Sequence, residues 1–281
     1  LKLIKGWPFI YWISDAFREK FKEKDLDFYY KVAQGLATAN NERFLRFWWE
    51  VNEDSISTKY SDDGKKWIPY AKGGPFQKWF GNDWLVVNWK DDGREIKNIR
   101  DKNGKQRSRP QNLEFYFKPG ITYSASGSKG VSFRKLEVNH IFDVGGSSIF
   151  PLKEDRISYT TALLNSSVAS YTTRCLNPTV NTQVGDLKRL PFVKPSEDLE
   201  GQIIRLTNIS IDLNKQILSF KTYERSFLPT SSTLNFESGN SVLDNLSSFL
   251  SYENQLFTIQ LLNEAIMNDL IFKVYELSEQ D

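Results

Sequence analysis

Trp84-Leu-Val-Val-Asn-Trp89 is a short apolar run, preceded by the turn residues Gly81-Asn82-Asp83 and followed by Asp91-Asp92-Gly93. The stretch from residue 60 to residue 112 contains further turn sequences near similar runs: Asp62-Asp63-Gly64, Gly73-Gly74-Pro75 and Asn103-Gly104. Short aromatic or β-branched runs between such turns are typical of β-hairpins. This stretch therefore predicts a β-rich, loop-rich domain.

The strand pattern extends on both sides of this stretch. Strands are predicted before it over residues 31–36 and 44–51, and after it over residues 113–117, 121–124, 131–133, 141–144 and 190–193. A helix is predicted over residues 159–175, and it must end near Asn177-Pro178 because proline lacks an amide hydrogen and restricts its predecessor. Residues 31–194 are thus predicted to form one mixed domain.

The two ends of the chain have helical patterns. Residues 1–30 carry apolar side chains at amphipathic spacing and are predicted to be a helical lead-in. After Pro195, Ser196 is a predicted N-cap, and two helices follow with apolar residues every three or four positions. The predicted fold class is therefore α+β, with an α-helical C-terminal segment over residues 195–281.

The composition excludes several classes of protein. The chain has 281 residues, of which 40% are hydrophobic and 14% aromatic, so it can bury a large core. All eight Trp lie between Trp7 and Trp89, and most are predicted to be core residues. The chain contains one cysteine, Cys175, and one histidine, His140. These numbers exclude an internal disulfide and the familiar Cys/His zinc sites. Neither a membrane span nor a secretory leader is evident, so we expect a cytoplasmic protein.

The chain starts at Leu1, and Met267 is its single methionine. We therefore expect that this sequence is a piece of a longer protein.

The net charge of +2 conceals an uneven distribution of charge. Residues 59–136 contain seventeen basic and eight acidic residues, which gives +9, whereas residues 195–281 contain five basic and thirteen acidic residues, which gives −8. A basic span of this size is a candidate surface for a polyanion, because each neutralised phosphate releases counterions. The alternative is an ordinary solvated, lysine-rich loop region.

Motifs that would indicate catalysis are weak or missing. Neither a G-x-G-x-x-G turn nor a P-loop occurs, the Asn-Pro-Pro-aromatic signature of amino-directed DNA methyltransferases is missing, and the single His140 does not favour a hydrolase triad. One loose pattern remains, in which Asp83 precedes Glu95 and Lys97, because such a set can bind Mg²⁺ for phosphodiester hydrolysis. A hairpin that turns at Asp91-Asp92-Gly93 and carries surface charges explains the same residues.

Several motifs together resemble a known family. Gly35-Leu-Ala-Thr38-Ala-Asn40 before Phe44 is similar to the opening of the TaqI-like specificity domain, although Ala39 replaces a common glycine. More specific likenesses run from residue 66 to residue 190: Lys66-Trp-Ile-Pro-Tyr-Ala-Lys-Gly-Gly74, Trp79-Phe-Gly-Asn82, Val86-Val-Asn-Trp89, Thr122-Tyr-Ser-Ala-Ser126, Phe142-Asp143 with Gly146, and Leu176-Asn-Pro-Thr-Val-Asn181. These resemble the PglX family of adenine-specific methyltransferases of BREX phage-defence systems. The likeness covers roughly residues 8–193.

The resemblance implies that the chain is the C-terminal target-recognition portion of such an enzyme. It implies double-stranded DNA as a partner, S-adenosyl-L-methionine as a cofactor of the full-length protein with none bound in this fragment, and a catalytic centre in the upstream methyltransferase domain. The complete enzyme is expected to flip the target adenine out of the duplex. No catalytic, cofactor-binding or metal-binding residue is assigned in this fragment, which alone is predicted to be inactive.

Two groups of residues are the candidates for DNA contact. The candidates for phosphate contact are the basic residues Lys65, Lys66, Lys72, Lys78, Lys90, Arg94, Lys97, Arg100, Lys102, Lys105, Arg107, Arg109 and Lys129. The candidates for base contact are Arg107, Arg109, Gln111 and Asn112 in the turn-rich segment, and Ser124, Ser126, Ser128, Lys129 and Arg134 around a second loop.

A second hypothesis concerns the acidic helices. In this alternative the chain is a protein-interaction module, whose helices after residue 195 dock onto the methyltransferase half or onto other BREX subunits.

Overall fold

Two four-stranded sheets form the centre of the molecule. The computed structural model describes residues 13–125, 127, 129–152, 156–179, 181–228 and 241–278. Within these ranges the strands are β1 (Tyr30–Ala33), β2 (Leu45–Phe47), β3 (Trp67–Ala71), β4 (Leu85–Asn88), β5 (Gly120–Tyr123), β6 (Phe133–Leu136), β7 (Ile141–Phe142) and β8 (Ser148–Pro151).

The first sheet has the order β1-β8-β5-β6 and is antiparallel throughout. Val32 pairs with Ile149, and Ile149 also pairs with Ile121, so apolar side chains align across the sheet. Because side chains alternate along a strand, Ile149 and Phe150 point to opposite faces and enter different hydrophobic clusters. Both faces of this sheet are therefore covered.

The second sheet has the order β2-β4-β3-β7. Strand β3 pairs antiparallel with β4, where Ile68 faces Val87, and parallel with β7, where Ala71 faces Phe142. Its buried residues share a cluster with Phe150 of the first sheet, so the two sheets pack face to face. Trp67 and Val86 lie in a separate small cluster that covers the other face.

Ten helices surround the sheets within the described ranges. They are α1 (Asp15–Glu19), α2 (Leu26–Tyr29), α3 (Asn41–Phe44), α4 (Tyr60–Asp63), α5 (Lys90–Lys97), α6 (Ile157–Asn165), α7 (Ser167–Leu176), α8 (Val184–Lys188), α9 (Glu197–Leu218) and α10 (Val242–Val274). Short 3₁₀ turns occur at Lys20–Lys22, Trp48–Glu50, Glu53–Ser55 and Leu113–Phe115. The two long helices α9 and α10 pack against each other, and α6 packs against α9.

The largest hydrophobic cluster joins the C-terminal helices to the first sheet. It contains Ile149 of β8, Tyr159 of α6, Ile203 of α9 and Ile271 of α10, together with Phe17 of α1. Residues from the lead-in, from the segment 31–194 and from the helices after residue 195 are therefore buried in one common core.

The structure confirms the predicted α+β class and corrects several elements. Ser196 caps α9 as predicted, since its side chain accepts a hydrogen bond from the Leu199 amide. The hairpin predicted after Trp89 is wrong: Asp91, Asp92 and Gly93 form a turn with left-handed φ angles of 51°, 55° and 70°, but the residues after it, up to Lys97, are helical. The helix predicted over residues 159–175 is divided at Ser166, which caps α7. Residues 113–115 form a 3₁₀ turn in place of the predicted strand.

The prediction that most tryptophans are core residues holds for three of the six that the structure describes. Trp67, Trp79 and Trp89 are buried, and Trp48 and Trp84 are half-buried. Trp49 is 48% exposed and stacks on Phe47. Trp7 and Trp12 lie outside the described residues.

Candidate nucleic-acid interface

A hairpin-like loop over residues 99–109 carries the densest group of exposed cations in the predicted DNA-contacting set; we call it the basic loop. The Arg107 amide donates to the Ile99 carbonyl at 2.9 Å, and the Asp101 amide donates to the Lys105 carbonyl at 2.8 Å. At the tip, Asp101 Oδ1 accepts the amides of Asn103 (2.8 Å) and Lys105 (2.9 Å). These bonds fix the backbone of the loop.

Five basic side chains of this loop are exposed: Arg100, Lys102, Lys105, Arg107 and Arg109. In the part of the chain that the structure describes, no ion pair joins any of them to a carboxylate, and Arg100 donates to the Gly104 carbonyl at 3.1 Å. The only carboxylate within the loop, that of Asp101, is occupied in its turn. The loop therefore presents concentrated positive charge to solvent.

The basic loop is attached firmly to the end of strand β1. Ala37 and Arg109 exchange backbone hydrogen bonds at 3.0 and 2.9 Å. The Asn112 side-chain nitrogen donates to the Gln34 carbonyl at 2.8 Å, and the buried Ser108 hydroxyl donates to the Ile96 carbonyl. Because its side-chain nitrogen braces Gln34, Asn112 serves here as a support for the loop.

The glycine motifs of the sequence converge beneath this loop. The Leu36 amide donates to the Phe142 carbonyl at 2.7 Å, and the Asp143 amide donates to the Ala71 carbonyl at 2.9 Å. A Cβ on Gly35 would lie 1.8 Å from the Phe142 carbonyl oxygen, and one on Gly146 would lie 2.7 Å from the Ala71 carbonyl oxygen. These glycines are therefore required for close backbone packing.

The motif residues Thr38 and Asn40 also have structural partners. The Thr38 hydroxyl donates to Asn41 Oδ1 at 2.6 Å, and Asn40 Oδ1 accepts the Arg43 amide at 3.0 Å as the N-cap of α3. The motif Lys72-Gly-Gly74 is explained in the same way, because a Cβ on Gly73 would lie 2.9 Å from the Gly145 carbonyl oxygen. Lys72 itself is half-buried.

Arg134 and Ser124 lie inside the protein, so we remove them from the set of predicted base contacts. Arg134 is 1% exposed and donates to the Gln77 carbonyl at 3.3 Å and to Ser124 Oγ at 3.4 Å. Burial lowers the pKa of Arg134 to about 10. Ser124 is 6% exposed, and its hydroxyl also accepts the Gly74 amide at 3.0 Å. A base edge in a DNA groove cannot reach either side chain in this arrangement.

Lys78 is also engaged within the protein. Its ammonium lies 2.8 Å from the Glu264 carboxylate of α10, and the neighbouring Trp79 indole donates to the same carboxylate at 2.6 Å. Lys78 thus holds α10 against the body of the protein and is removed from the set of phosphate contacts.

The remaining predicted contacts are scattered around the surface. Lys66 and Lys97 lie over the rings of Trp67 and Trp89, and Arg94 pairs with Asp91. Lys65 donates to the Ile56 carbonyl, and Lys90 and Lys129 are exposed. The buried side-chain nitrogen of Gln111 has no hydrogen-bond partner among the described residues. Ser126 and Ser128 lie outside the described residues.

A polar cleft lies beside the basic loop, at the end of the first sheet. Its volume is about 300 Å³, and its rim carries the exposed side chains of Gln34, Asn181 and Gln183. We call it the amide cleft. Its location follows from the topology, because β1 and β5 end there and β8 begins there. None of these three amides was predicted as a contact from the sequence, although Asn181 belongs to the family-like motif Leu176–Asn181.

A second cleft of about 410 Å³ adjoins the amide cleft and shares Thr182 with it. It lies between the glycines of the second loop, Gly127 and Gly130, and the segment Asn177–Thr179, with Arg174 on one side. The Thr182 amide donates to the Ala125 carbonyl at 2.8 Å. The second loop and the segment 177–185 are thereby joined.

The residues of the predicted nuclease site have separate partners. The Asp83 side chain is 12% exposed and lies between Arg225, whose guanidinium is 2.5 Å from its carboxylate, and His140, whose Nε2 is 3.3 Å away. Burial by itself raises the pKa of Asp83, but the charges of Arg225 and His140 outweigh it and hold this pKa well below its usual range. Glu95 is exposed and pairs with Arg43.

Asp83 therefore serves as an anchor for the segment after α9, and the nuclease alternative is not proposed further. Among the described residues, no group of three or more His, Cys, Asp or Glu side chains is arranged to hold a metal ion. Likewise, none of the described helices is both long enough and apolar enough to cross a membrane.

Comparison with known proteins identifies homologues. No model of a protein family matches the chain. The chain is 33% identical over 238 residues to the adenine-specific methyltransferase PglX of Lacticaseibacillus casei (strain Zhang). The aligned region covers 82% of this chain and 19% of that protein. It is 30% identical over 279 residues to the adenine-specific methyltransferase BrxX of Escherichia coli O9:H4 (strain HS), which covers 97% of this chain and 22% of that protein.

One solved structure with some similarity is that of the type IIL restriction-modification enzyme MmeI in complex with DNA. The TM-score is 0.42 at 12% sequence identity, over 90% of this chain and 37% of that one. The sequence matches confirm the resemblance found in the motifs: the chain is homologous to the PglX and BrxX adenine-specific methyltransferases, and it corresponds to about one fifth of their length.

Proposed function

We propose that this chain is the double-stranded DNA recognition portion of an S-adenosyl-L-methionine-dependent N6-adenine DNA methyltransferase that acts in BREX phage defence. The observation that carries the proposal is the basic loop, which presents five exposed cations on a backbone fixed by hydrogen bonds. The sequence relation to adenine-specific methyltransferases supports the same reading. Phosphate contacts from such a loop would set affinity and register on the duplex.

The glycine motifs among the described residues do not fit the methyl donor, so its binding is assigned to the rest of the parent protein. A nucleotide-type cofactor needs a glycine-rich turn whose backbone stays open to it. Here Gly73-Gly74, which follow β3, pack against Gly145-Gly146, which follow β7: a Cβ on Gly73 would lie 2.9 Å from the Gly145 carbonyl oxygen. Their backbone is occupied by protein, and we derive no methyl-transfer step from this chain.

The proposal is tested by titrating the chain against labelled duplexes and measuring fluorescence anisotropy at about 50 and 200 mM salt. We expect salt-dependent binding, with Lys102→Ala and Arg109→Ala each weakening it and reducing the slope of log K against log salt by about 0.9. Arg205→Ala removes an exposed arginine from the acidic helix α9 and serves as the matched control, with an unchanged slope.

Two outcomes would contradict the proposal. Absence of salt-dependent binding to any duplex would overturn DNA recognition altogether. Equal slopes for the wild-type chain, Lys102→Ala and Arg109→Ala would show that the basic loop is not the DNA-contacting surface.

A second candidate function rests on α10. Five large apolar residues lie on one side of this helix and are exposed by 44–74%: Leu243, Leu246, Leu250, Phe257 and Leu261. They recur three, four, seven and four positions apart, so they form a continuous apolar stripe. Exposed apolar patches of this kind often mark protein interfaces. The stripe supports docking onto the methyltransferase half or onto another defence subunit.

Supplying the methyltransferase half as a separate polypeptide tests this second function. We expect co-elution with the wild-type chain in size-exclusion chromatography and loss of co-elution with Leu250→Glu. The control is Ile209→Glu, which changes an isolated exposed apolar residue of α9. Co-elution that survives Leu250→Glu would contradict docking through the stripe.

A further inference from the structure

The amide cleft differs chemically from the basic loop beside it. Its wall consists of uncharged residues, among them Tyr123, Val144 and Ser147, and its rim carries three exposed carboxamides from Gln34, Asn181 and Gln183. Phosphate oxygens attract cations, whereas a carboxamide offers one donor and one acceptor at a fixed spacing. This pair matches the major-groove edge of adenine, which presents the N6 donor and the N7 acceptor.

The backbone that carries two of these amides is held in place. The Asn177 side chain donates to the Asn181 carbonyl at 3.0 Å, the Thr182 amide donates to the Ala125 carbonyl at 2.8 Å, and the Gln183 amide donates to Asp186 Oδ2 at 2.9 Å. Exposed side chains on a fixed backbone lose little further backbone freedom on binding, as a recognition site requires.

The third amide connects the cleft to the basic loop. Gln34 follows directly after β1, and its carbonyl accepts the Asn112 side chain at 2.8 Å. Three residues further on, Ala37 pairs through its backbone with Arg109 of the basic loop, so we expect a duplex held by the loop cations to reach the amides of the cleft. Phosphate contacts by themselves carry no sequence information, so a second, neutral surface of this kind is needed.

We infer that Gln34, Asn181 and Gln183 determine specificity, with at least one of them making a bidentate contact to an adenine in the major groove of the recognised site. This inference rests on the proposed DNA-recognition function. The contact gives the amide cleft a defined ligand, the N6 and N7 edge of an adenine base in duplex DNA.

The first experiment finds the recognised sequence. The wild-type chain selects duplexes from a randomised pool, and the bound fraction is sequenced. We expect a consensus that includes adenine, and we expect that the triple variant Gln34→Ala, Asn181→Ala, Gln183→Ala loses the adenine preference while it still binds the unselected pool. Gln202→Ala, which truncates an exposed glutamine of α9, is the control and keeps the consensus.

The second experiment tests the atoms involved. Each adenine of the selected duplex is replaced in turn by 7-deazaadenine, which lacks the N7 acceptor and keeps Watson–Crick pairing. At one position we expect the wild-type chain to bind about 10-fold more weakly, and we expect no further loss for the variant that lacks the contacting amide.

The outcomes separate this inference from the proposed function. If no duplex is bound, the proposed function fails and the inference fails with it. If the pool is bound with a consensus that the triple variant retains, or if no deaza substitution weakens binding by the wild-type chain, the amide contact is overturned and DNA recognition stands. Circular dichroism of the triple variant shows whether it is folded, and each single variant repeats the test if it is not.

Discussion

Gly35 occupies a position where the backbone of one strand end touches another and leaves no space for a side chain. Any Cβ there would collide with the Phe142 carbonyl oxygen, which also accepts the Leu36 amide. The glycine is therefore needed for the pairing of the segment after β1 with β7, and the basic loop is built on that segment.

We predict that Gly35→Ala lowers the free energy of unfolding by about 3 kcal/mol, because the added methyl group overpacks a contact between two backbones. Gly201→Ala is the matched control: Gly201 lies in α9 with no atom within 4 Å of a Cβ, so alanine should raise the free energy of unfolding by about 0.5–1 kcal/mol. Urea denaturation measures both. A neutral Gly35→Ala would show that the two segments separate readily.

Asp83 yields a prediction about pH. Arg225 and His140 hold its carboxylate and lower the pKa of Asp83 in the folded protein. The carboxylate therefore stabilises the fold fully above pH 4, the approximate pKa of Asp in the unfolded chain, and this stabilisation is lost as the pH falls below about 4. Asp83→Asn should lower the free energy of unfolding by about 3 kcal/mol at pH 7.

The difference between the wild-type chain and Asp83→Asn should shrink by about 1.4 kcal/mol for each pH unit below about 4. Urea denaturation between pH 7 and pH 3 measures it. A difference that stays constant over this range would contradict the proposed ion-pair origin.

At the scale of elements, helix α10 is attached to the body through Glu264. Its carboxylate accepts from the Lys78 ammonium at 2.8 Å and from the buried Trp79 indole at 2.6 Å. Glu264→Ala leaves the indole nitrogen without its acceptor, so we expect the free energy of unfolding to fall by about 2 kcal/mol.

Glu276→Ala is the control for this variant. Glu276 pairs with Lys20 at 2.8 Å but is 81% exposed, so its loss should lower the free energy of unfolding much less than Glu264→Ala does. Thermal unfolding followed by circular dichroism compares the two. Equal effects of the two variants would show that the Trp79 contact contributes nothing.

The sequence predicted some elements well because their signals are local. Ser196 followed by apolar residues at helical spacing is sufficient to place the start of α9, and Ile121–Tyr123 reads as a strand on β-branched and aromatic content. A turn at Asp91-Asp92-Gly93 was predicted correctly, but the residues after it are helical and do not form the second strand of a hairpin. There Ile96 is fully buried within the second hydrophobic cluster, and this tertiary packing overrides the local hairpin signal.

The site was predicted less completely than the fold, because burial depends on contacts between distant segments. Lys102 and Arg109 are exposed, as a phosphate contact requires, whereas Arg134 in an equally basic stretch is enclosed. Nothing in the sequence near Arg134 shows that Gln77 and Ser124 will surround it. Gln34 and Gln183 are far apart in sequence and meet only through the order of the first sheet.

At the scale of the whole molecule, the common core joins segments that differ strongly in charge. Ile203 of α9 and Ile271 of α10 are fully buried in the cluster that contains Ile121 and Ile149 of the first sheet. A chain truncated after residue 194 would expose to water the apolar surfaces of α6 and α7 that pack against α9 and α10.

We therefore predict that residues 1–194 alone do not unfold cooperatively, since the lost apolar burial contributes about 25 cal/mol for each Å². Near-UV circular dichroism and urea denaturation of the truncated and complete chains provide the comparison. A cooperative transition at the midpoint of the complete chain would instead establish residues 1–194 as an independently folding unit.

The backbone bond between Ile99 and Arg107 has a consequence for insertions at the tip of the basic loop. Because the two ends of the basic loop are joined at 2.9 Å, residues inserted at the tip enlarge a ring that is already closed. Each doubling of loop length then costs only about 0.6 kcal/mol of closure entropy. The tip should therefore accept inserted residues at a small cost in stability, while the sheets that carry it keep their geometry.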